Sequence, residues 1–232
     1  MSKILAIVAH PDDEVLGCGG TLARHADRGD NIRILVVCDG VSSRGSDEAQ
    51  LKRRRTAAEA AAAELGAKSP IFLDFADNRL DQQPLLDIVQ TIEGVLRETS
   101  PDIIYTHHAG DLNIDHEIVH RAVITACRPL AGSPLSLLAA FEVLSSTEWT
   151  SPSPAKAFVP RLFVDISVTM DRKLAALRLY QEEMRPFPHP RSSEIVRALA
   201  AYRGASAGFE AAEAFDVVRM RISTKGMMYR FD

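Results

Sequence analysis

Short apolar runs alternate with amphipathic or alanine-rich segments along the first half of the chain. The runs are rich in Ile, Val and Leu, as is typical of strands buried on both faces of a parallel sheet, and each precedes a segment with helical spacing. The predicted strands are Ile4 to Ala9, Ile32 to Cys38, Ile71 to Phe75 and Asp102 to Thr106. Strand and helix therefore alternate four times, which predicts a parallel sheet with right-handed crossovers.

The pattern is looser in the last part of the chain. Three further apolar segments, Leu137 to Leu144, Leu162 to Ile166 and Phe215 to Ile222, are predicted to extend the sheet or to cover its edge. Helices are predicted from Thr169 to Tyr180 and from about Ser193 to Arg203. Because no linker divides the 232 residues, we expect one α/β domain over residues 1–232.

Charge and hydropathy narrow the classes of partner. The net charge of -4 indicates no general affinity for nucleic acid or anionic membranes, so we expect a small-molecule partner. No apolar run approaches the roughly 20 residues of a membrane span, and the N-terminus lacks the features of a signal peptide, so a cytoplasmic protein is expected. The three cysteines are expected to be structural thiols. The sequence leaves the oligomeric state open and allows a homo-oligomer.

The first strand ends in one imidazole and three carboxylates, His10-Pro11-Asp12-Asp13-Glu14. Pro11 cannot donate a hydrogen bond to a sheet and favours an extended His10, so the strand should stop there. In an open α/β sheet the carboxyl ends of strands are where ligands bind. The alternative is a solvated acidic turn.

A glycine-rich turn, Gly17-Cys18-Gly19-Gly20, follows this acidic cluster. Its spacing is not the G-x-G-x-x-G of dinucleotide-binding proteins, and the carboxylates before it would repel a pyrophosphate. We expect the glycines to allow close packing of a helix that starts near Thr21.

A second polar cluster follows the fourth strand, from His107 to His120. Asp115 is predicted as the N-cap of the next helix, with His116 in its first turn. Both clusters follow strands of one parallel sheet, so they can converge although about a hundred residues separate them. His10, Asp13 and His116 would supply the His, Asp and His donors of a catalytic metal site, and Asp12 would be free to act as a base on a water molecule.

Other polar residues are candidates for substrate binding. Arg55 lies on the apolar stripe of the predicted helix from Asp47 to Leu65, where an arginine needs an anionic partner or a cleft. Arg54 is the alternative residue that could reach the site. The simplest explanation of both arginines is a solvated basic face of the helix. The remaining candidates lie in loops: Asn78, His108, and His189 and Arg191 of a rigid proline-rich segment.

The two clusters carry a family resemblance. Ala9-His10-Pro11-Asp12-Asp13-Glu14 with its glycine turn, together with Asp115-His116, resembles the PIG-L/LmbE-like family of zinc-dependent N-acetylglucosaminyl deacetylases. The resemblance implies a Rossmann-like three-layer α/β/α fold with a mostly parallel sheet. It also implies that His10, Asp13 and His116 bind Zn²⁺ and that Asp12 is the general base. Fe²⁺ stays open, because this donor set selects weakly between the two metals.

The sequence departs from the family at the second motif. Many members have His-Pro-Asp-His where this chain has Asn113-Ile114-Asp115-His116. Asn113 can donate a hydrogen bond but cannot carry a proton, so the group that assists the oxyanion is in doubt. Asn113 and Asp115 remain candidates for catalysis beside Asp12. His107, His108 and His189 are candidate substitutes, and for each the alternative is a hydrogen bond within a loop.

The leading hypothesis is a metal-dependent hydrolase that removes the N-acetyl group from an N-acetylglucosamine-type conjugate and releases acetate and a free amine. One alternative is an ester or phosphoester hydrolase, a class that favours two metals. The other is a non-catalytic sugar-nucleotide-binding relative.

Overall fold

A seven-stranded sheet runs through the computed structural model, which describes residues 1–45 and 48–222. The strands are β1 (Lys3–Val8), β2 (Asn31–Cys38), β3 (Ile71–Phe75), β4 (Ile103–His107), β5 (Leu137–Phe141), β6 (Leu162–Asp165) and β7 (Ala212–Met220). Their order is β3-β2-β1-β4-β5-β7-β6. Strand β7 pairs antiparallel with β5 and β6, and the other pairs are parallel. The expected mostly parallel α/β sheet is confirmed.

Helices cover both faces of this sheet. They are α1 (Asp13–Asp27), α2 (Glu48–Leu65), α3 (Leu85–Thr99), α4 (Ile114–Ala126), α5 (Met170–Leu179) and α6 (Ser193–Ala205). One apolar cluster joins the sheet to α1, α2, α5 and α6, and a second cluster joins the opposite face to α3 and α4. The three-layer arrangement is thereby confirmed. Within the described ranges, no helix has the length and apolar character that crossing a bilayer would require.

Strand β1 lies at the centre of the sheet between β2 and β4. Its side chains alternate between the two apolar clusters, with Ile4 and Ala6 in one and Leu5 and Ile7 in the other. This double burial explains why the sequence of β1 is continuously apolar. The crossovers run in opposite directions from β1 and β4, so the loops after these two strands lead away from each other, which is the position at which ligands bind in open α/β sheets.

Helix α1 begins at Asp13, so the prediction that it starts near Thr21 is wrong. The glycines lie inside the helix, which is kinked at Cys18. A Cβ atom on Gly17 would lie 2.1 Å from Cδ2 of Phe141 on β5, and one on Gly20 would lie 2.8 Å from Cβ of Ile166. The expected close packing is therefore confirmed, and it occurs within the helix rather than before it.

A buried ion pair satisfies the backbone groups that the kink exposes. Glu213 on β7 accepts hydrogen bonds from the N–H groups of Gly20 and Thr21, at 2.9 and 2.7 Å. Lys173 on α5 donates from Nζ to the carbonyl of Leu16 at 2.9 Å and to Glu213 at 2.6 Å. Thus α5 and β7 hold the kinked middle of α1, and through it the acidic cluster at its start, in place.

Candidate active site

Three candidate ligand atoms meet between the loops after β1 and β4. Nδ1 of His10 lies 3.3 Å from Nε2 of His116 and 3.3 Å from Oδ2 of Asp13. Nε2 of His116 lies 3.2 Å from the same oxygen of Asp13. The three residues are buried. The structure therefore brings together the three residues that the sequence predicts as metal ligands.

This triangle has the size that a metal site requires. Tetrahedral coordination at bond lengths of about 2.0–2.1 Å separates donor atoms by about 3.4 Å. In addition, Oδ1 of Asp13 is buried and has no hydrogen-bond partner among the described residues. A buried carboxylate oxygen left without a partner is costly unless a positive group sits nearby. His10, Asp13 and His116 therefore fit a divalent cation.

Carboxylates lie behind both histidines. Nε2 of His10 is 3.1 Å from Oδ2 of Asp115 and 3.0 Å from Oδ1 of Asp77. Nδ1 of His116 is 3.2 Å from Oδ1 of Asp111. A carboxylate on the far nitrogen fixes the orientation of a metal-binding imidazole and makes it a stronger ligand. The arrangement thus leaves Nδ1 of His10 and Nε2 of His116 as the metal-facing atoms.

The same carboxylates control the protonation of the imidazoles. Burial by itself would lower the pKa of His116, but Asp13 and Asp111 outweigh it and raise that pKa to about 9. Burial also opposes protonation of His10, whose pKa is raised well above its ordinary value by Asp115, Asp13 and Asp77. Without a metal, these carboxylates therefore favour the protonated, imidazolium form of each ring, and metal binding requires loss of that proton.

Asp12 lies beside these residues in an unusual conformation. Its φ of 120° falls in a backbone region that favours glycine. Oδ2 of Asp12 accepts a hydrogen bond from Nη1 of Arg191 at 2.9 Å. Burial raises the pKa of Asp12 to about 6, although Arg191 and Arg54 act in the opposite direction. Glu14 supports the turn, since its carboxylate accepts hydrogen bonds from the backbone N–H of Asp12 and the hydroxyl of Tyr180.

Two arginines and a glutamate extend the charged network around Asp12. Arg191 also contacts Glu183 at 3.2 Å, and Arg54 lies 2.6 Å from the other oxygen of Glu183. The expectation that Arg55 faces inward is wrong: Arg54 is buried, whereas Arg55 is half-buried, pairs with Asp74 and lies over the ring of Phe72. The helix is rotated slightly from the orientation that the sequence pattern suggests.

Asn113, and not Asp115, is the N-cap of α4. Its side-chain oxygen accepts a hydrogen bond from the backbone N–H of Asp115 at 2.9 Å, and its amide nitrogen donates to Asn78 at 3.3 Å. The side chain of Asp115 instead accepts from the N–H groups of Asn78 and Leu80, at 2.6 and 3.1 Å. Asp115 therefore joins the loop after β3 to His10, and Asn78 and Asn113 lie together beside it.

The three histidines considered as substitutes lie in different surroundings. Nε2 of His107 accepts a hydrogen bond from the N–H of Ala9 at 2.8 Å, and burial holds the pKa of His107 well below its ordinary value. His107 is therefore neutral, and it stacks on His116 with 3.9 Å between ring centroids. His108 contacts the carbonyl of Lys156 at 3.0 Å. His189 accepts from the N–H of Arg191 at 3.1 Å, within its own loop.

Sequence reasoning missed Asp111, Asp77 and Glu183. Asp111 was part of the second polar cluster, yet its position behind His116 depends on Ser146 and Thr147, whose hydroxyls donate to it from the segment after β5. Asp77 is next to the predicted Asn78. The sequence shows each of them only as an acidic residue outside the strands. Such residues are too common in loops for the sequence to indicate which of them contact the site.

Comparisons with known proteins agree with this geometry. A family model described as PIG-L, GlcNAc-PI de-N-acetylase, matches residues 5–127, a range that includes the three candidate ligands. The uncharacterized deacetylase YaiS of Escherichia coli K12 is 34% identical over 184 residues, which cover 77% of this chain and 90% of YaiS. Diacetylchitobiose deacetylase of Thermococcus kodakarensis is 29% identical, over 92% of this chain and 82% of its own.

A solved structure shares the fold at lower identity. GalB of Pseudomonas putida KT2440, a 4-carboxy-2-hydroxymuconate hydratase, superposes with a TM-score of 0.72 at 24% identity and covers 96% of this chain and 98% of its own. Because that protein is a hydratase, the fold by itself does not determine the reaction. The reaction is therefore inferred from the residues between the loops after β1 and β4 and from the relatives in sequence.

Proposed function

Because this chain belongs to the PIG-L family of de-N-acetylases, we propose that it hydrolyses the N-acetyl group of an amino-sugar conjugate with the help of one divalent metal ion. The observation that carries the proposal is the triangle formed by His10, Asp13 and His116, with Asp12 next to Asp13 in the chain. The relative from Thermococcus, whose name specifies an N-acetylated glucosamine disaccharide, supports a substrate of this class. Zn²⁺ is the metal we propose, with Fe²⁺ as the alternative that the donor set also accepts.

Each residue then has a distinct role. His10, Asp13 and His116 would hold the metal, which supplies Lewis-acid polarisation of the amide carbonyl and a more acidic water. Asp12 takes the proton of the attacking water and returns it to the leaving nitrogen. Arg191 holds Oδ2 of Asp12, so we assign the proton transfer to Oδ1. The products are acetate and the free amine.

The surroundings of the triangle support one metal rather than two. The other group of possible ligands among the described residues, His10, Cys38 and Asp115, shares His10 with the first. The oxygens of Asp115 also accept backbone hydrogen bonds from Asn78 and Leu80. Since phosphoester hydrolases generally use two metals, this arrangement favours amide hydrolysis over the phosphoester alternative.

Two substitutions test the proposal when metal content and acetate release are measured on the same samples. His116→Ala should lose both, because it removes a ligand. Asp12→Asn should keep stoichiometric metal and lose turnover by at least about 100-fold. His120→Ala is the matched control: His120 lies one turn further along α4, and its Nδ1 donates a hydrogen bond to the backbone carbonyl of His107 rather than to the triangle.

Contrary results would be equally clear. Metal retained by His116→Ala would remove His116 from the ligand set. Unchanged acetate release by Asp12→Asn would remove Asp12 as the base. A metal-loaded wild-type protein that releases no acetate from any N-acetylated amino sugar would favour the non-catalytic relative, and two metal ions per chain would favour the phosphoester hydrolase.

A further inference from the structure

The only tryptophan of the chain lies exposed beside the candidate active site. Trp149 ends a short 3-10 helix, Thr147–Trp149, and 52% of its surface is accessible. Its ring meets the ring of His189 edge to face, with 5.9 Å between centroids. His189 in turn binds the backbone of Arg191, which contacts Asp12. Trp149 is thus connected to the proposed base through two residues.

The segment that carries Trp149 is fixed to the site by side-chain hydrogen bonds. Nε of Arg191 donates to Ser145 at 2.6 Å, on the side of Asp12. The hydroxyls of Ser146 and Thr147 donate to Asp111, on the side of His116. Because residues on both sides of the site, Arg191 and Asp111, bind this segment, Trp149 lies on a rigid element. A ligand that binds against Trp149 therefore orders little additional protein, and the entropic cost of binding is small.

The exposed ring is suited to a ligand with a flat apolar face. Tryptophan is highly buried on average and is enriched where proteins bind other molecules, so a half-exposed indole tied to a site is suited to contact a ligand. Other apolar side chains are exposed on segments that contact the site, namely Leu112 at 56% beside Asp111 and Phe187 at 62% in the loop of Arg191. The segment of Trp149 contacts Arg191 and Asp111, the residues that hold Asp12 and His116, so a part of the substrate is the occupant that the position favours.

We infer that Trp149 forms a subsite for the group attached to the N-acetylated sugar, and that this group presents a flat apolar face, either the C–H face of a second pyranose or an aryl ring. The inference rests on the proposed deacetylation, and it specifies the substrate: a disaccharide or an aryl glycoside is preferred over free N-acetylglucosamine. Trp149 contacts the part of the substrate that does not react, so it determines specificity and takes no part in the chemical step.

The kinetic test compares three substrates: N-acetylglucosamine, its phenyl glycoside and N,N'-diacetylchitobiose. For Trp149→Ala we expect kcat/KM to fall about tenfold on the phenyl glycoside, the disaccharide or both, mainly through KM, and to change less than about twofold on the monosaccharide. Trp149→Phe should retain most of the preference. Phe209→Ala is the control, because Phe209 is an exposed aromatic residue beside Ile103 and Tyr105, near the opposite ends of the strands.

The pattern of losses identifies the group. A loss confined to the disaccharide identifies a second sugar, and one confined to the phenyl glycoside identifies an aryl group. An equal loss on all three substrates, or no loss on any, would overturn the subsite.

A binding test separates the subsite from the reaction. Since Trp149 is the only tryptophan, the intrinsic indole fluorescence of the metal-loaded Asp12→Asn protein reports directly on this ring. Saturating diacetylchitobiose or phenyl glycoside should shift the emission, and N-acetylglucosamine should not. Unchanged emission with all three ligands would overturn the inference. A shift without acetate release from the wild-type protein would instead keep the subsite and reject the proposed function.

Discussion

Asp111 lies directly behind His116, with its Oδ1 3.2 Å from Nδ1 of the ring. The opposite nitrogen, Nε2, lies 3.2 Å from Oδ2 of Asp13. Ser146 and Thr147 donate hydrogen bonds to Asp111 in turn, so the orientation of the His116 ring depends on two successive sets of contacts. The position of the proposed metal therefore depends on a segment far from either metal-binding loop in sequence.

Asp111→Asn should weaken metal binding about 10- to 100-fold, because an amide orients and polarises the imidazole of His116 less well than a carboxylate does. Competition with a chelator of known affinity measures the change. Asp171→Asn is a suitable control, since Asp171 is an exposed residue that pairs with Arg197. An unchanged affinity in Asp111→Asn would show that Asp111 is not needed to orient the ligand.

Metal binding should become stronger as the pH rises toward 9. The metal-free protein keeps His116 protonated below its pKa of about 9, and a metal can bind only after that proton leaves. The same holds for His10, whose pKa is also raised. Titration calorimetry at pH 7 in two buffers of different ionisation enthalpy should therefore detect release of about one to two protons per metal. An affinity that is constant between pH 7 and pH 9 would contradict the assigned ligands.

Arg191→Met should lower kcat about 100-fold on every substrate and leave the metal content unchanged, because Asp12 would lose the contact that positions its carboxylate. Added guanidinium should restore part of the activity if the charge and the hydrogen bond are what matter. Arg185→Met is the control from the same loop, because within the described part of the chain the Arg185 guanidinium donates to the backbone carbonyls of Glu182 and Met184 and not to Asp12. A change in KM alone would indicate that Arg191 binds substrate and does not position Asp12.

Two glycine substitutions should have opposite effects on stability. Gly17→Ala should lower the free energy of unfolding by about 1–3 kcal/mol, since the new methyl group would overlap the ring of Phe141. Gly94→Ala should raise it by about 0.5–1 kcal/mol, because Gly94 lies within α3 and the nearest atom to a new Cβ there is 3.9 Å away, on Arg97. Urea denaturation measures both. Equal effects would mean that the close packing of α1 adds nothing beyond ordinary helix propensity.

The sheet and the three candidate ligands were predictable from the sequence because each follows from a local pattern. A buried parallel strand is continuously apolar, and β1 and β4 both end abruptly in titratable residues. The rule that parallel strands present their carboxyl ends at one edge then brings His10 and His116 together.

The arrangement around the ligands was not predictable, because it depends on contacts between distant segments. The sequence pattern predicts that Arg55 is buried, whereas Arg54 is the buried residue. The ion-pair partner of Arg54 is Glu183, which lies after α5 and far from α2 in sequence, so a local pattern cannot indicate it. The glycines of α1 predict a turn before the helix, because glycine is common in turns. In the structure they lie within the helix, where Phe141 and Ile166 pack against them. Asp115 is a residue type that commonly caps helices, yet Asn113 is the N-cap of α4 and the side chain of Asp115 faces His10.

The backbone of Asp12 carries a further consequence. A residue with a side chain at φ 120° costs free energy that glycine would not, of order 1–3 kcal/mol, and only the carboxylate gives a reason to keep a side chain there. For the proposed base, this strain is the cost of placing the carboxylate where Arg191 contacts it, so Asp12→Gly should relieve the backbone strain and lose turnover.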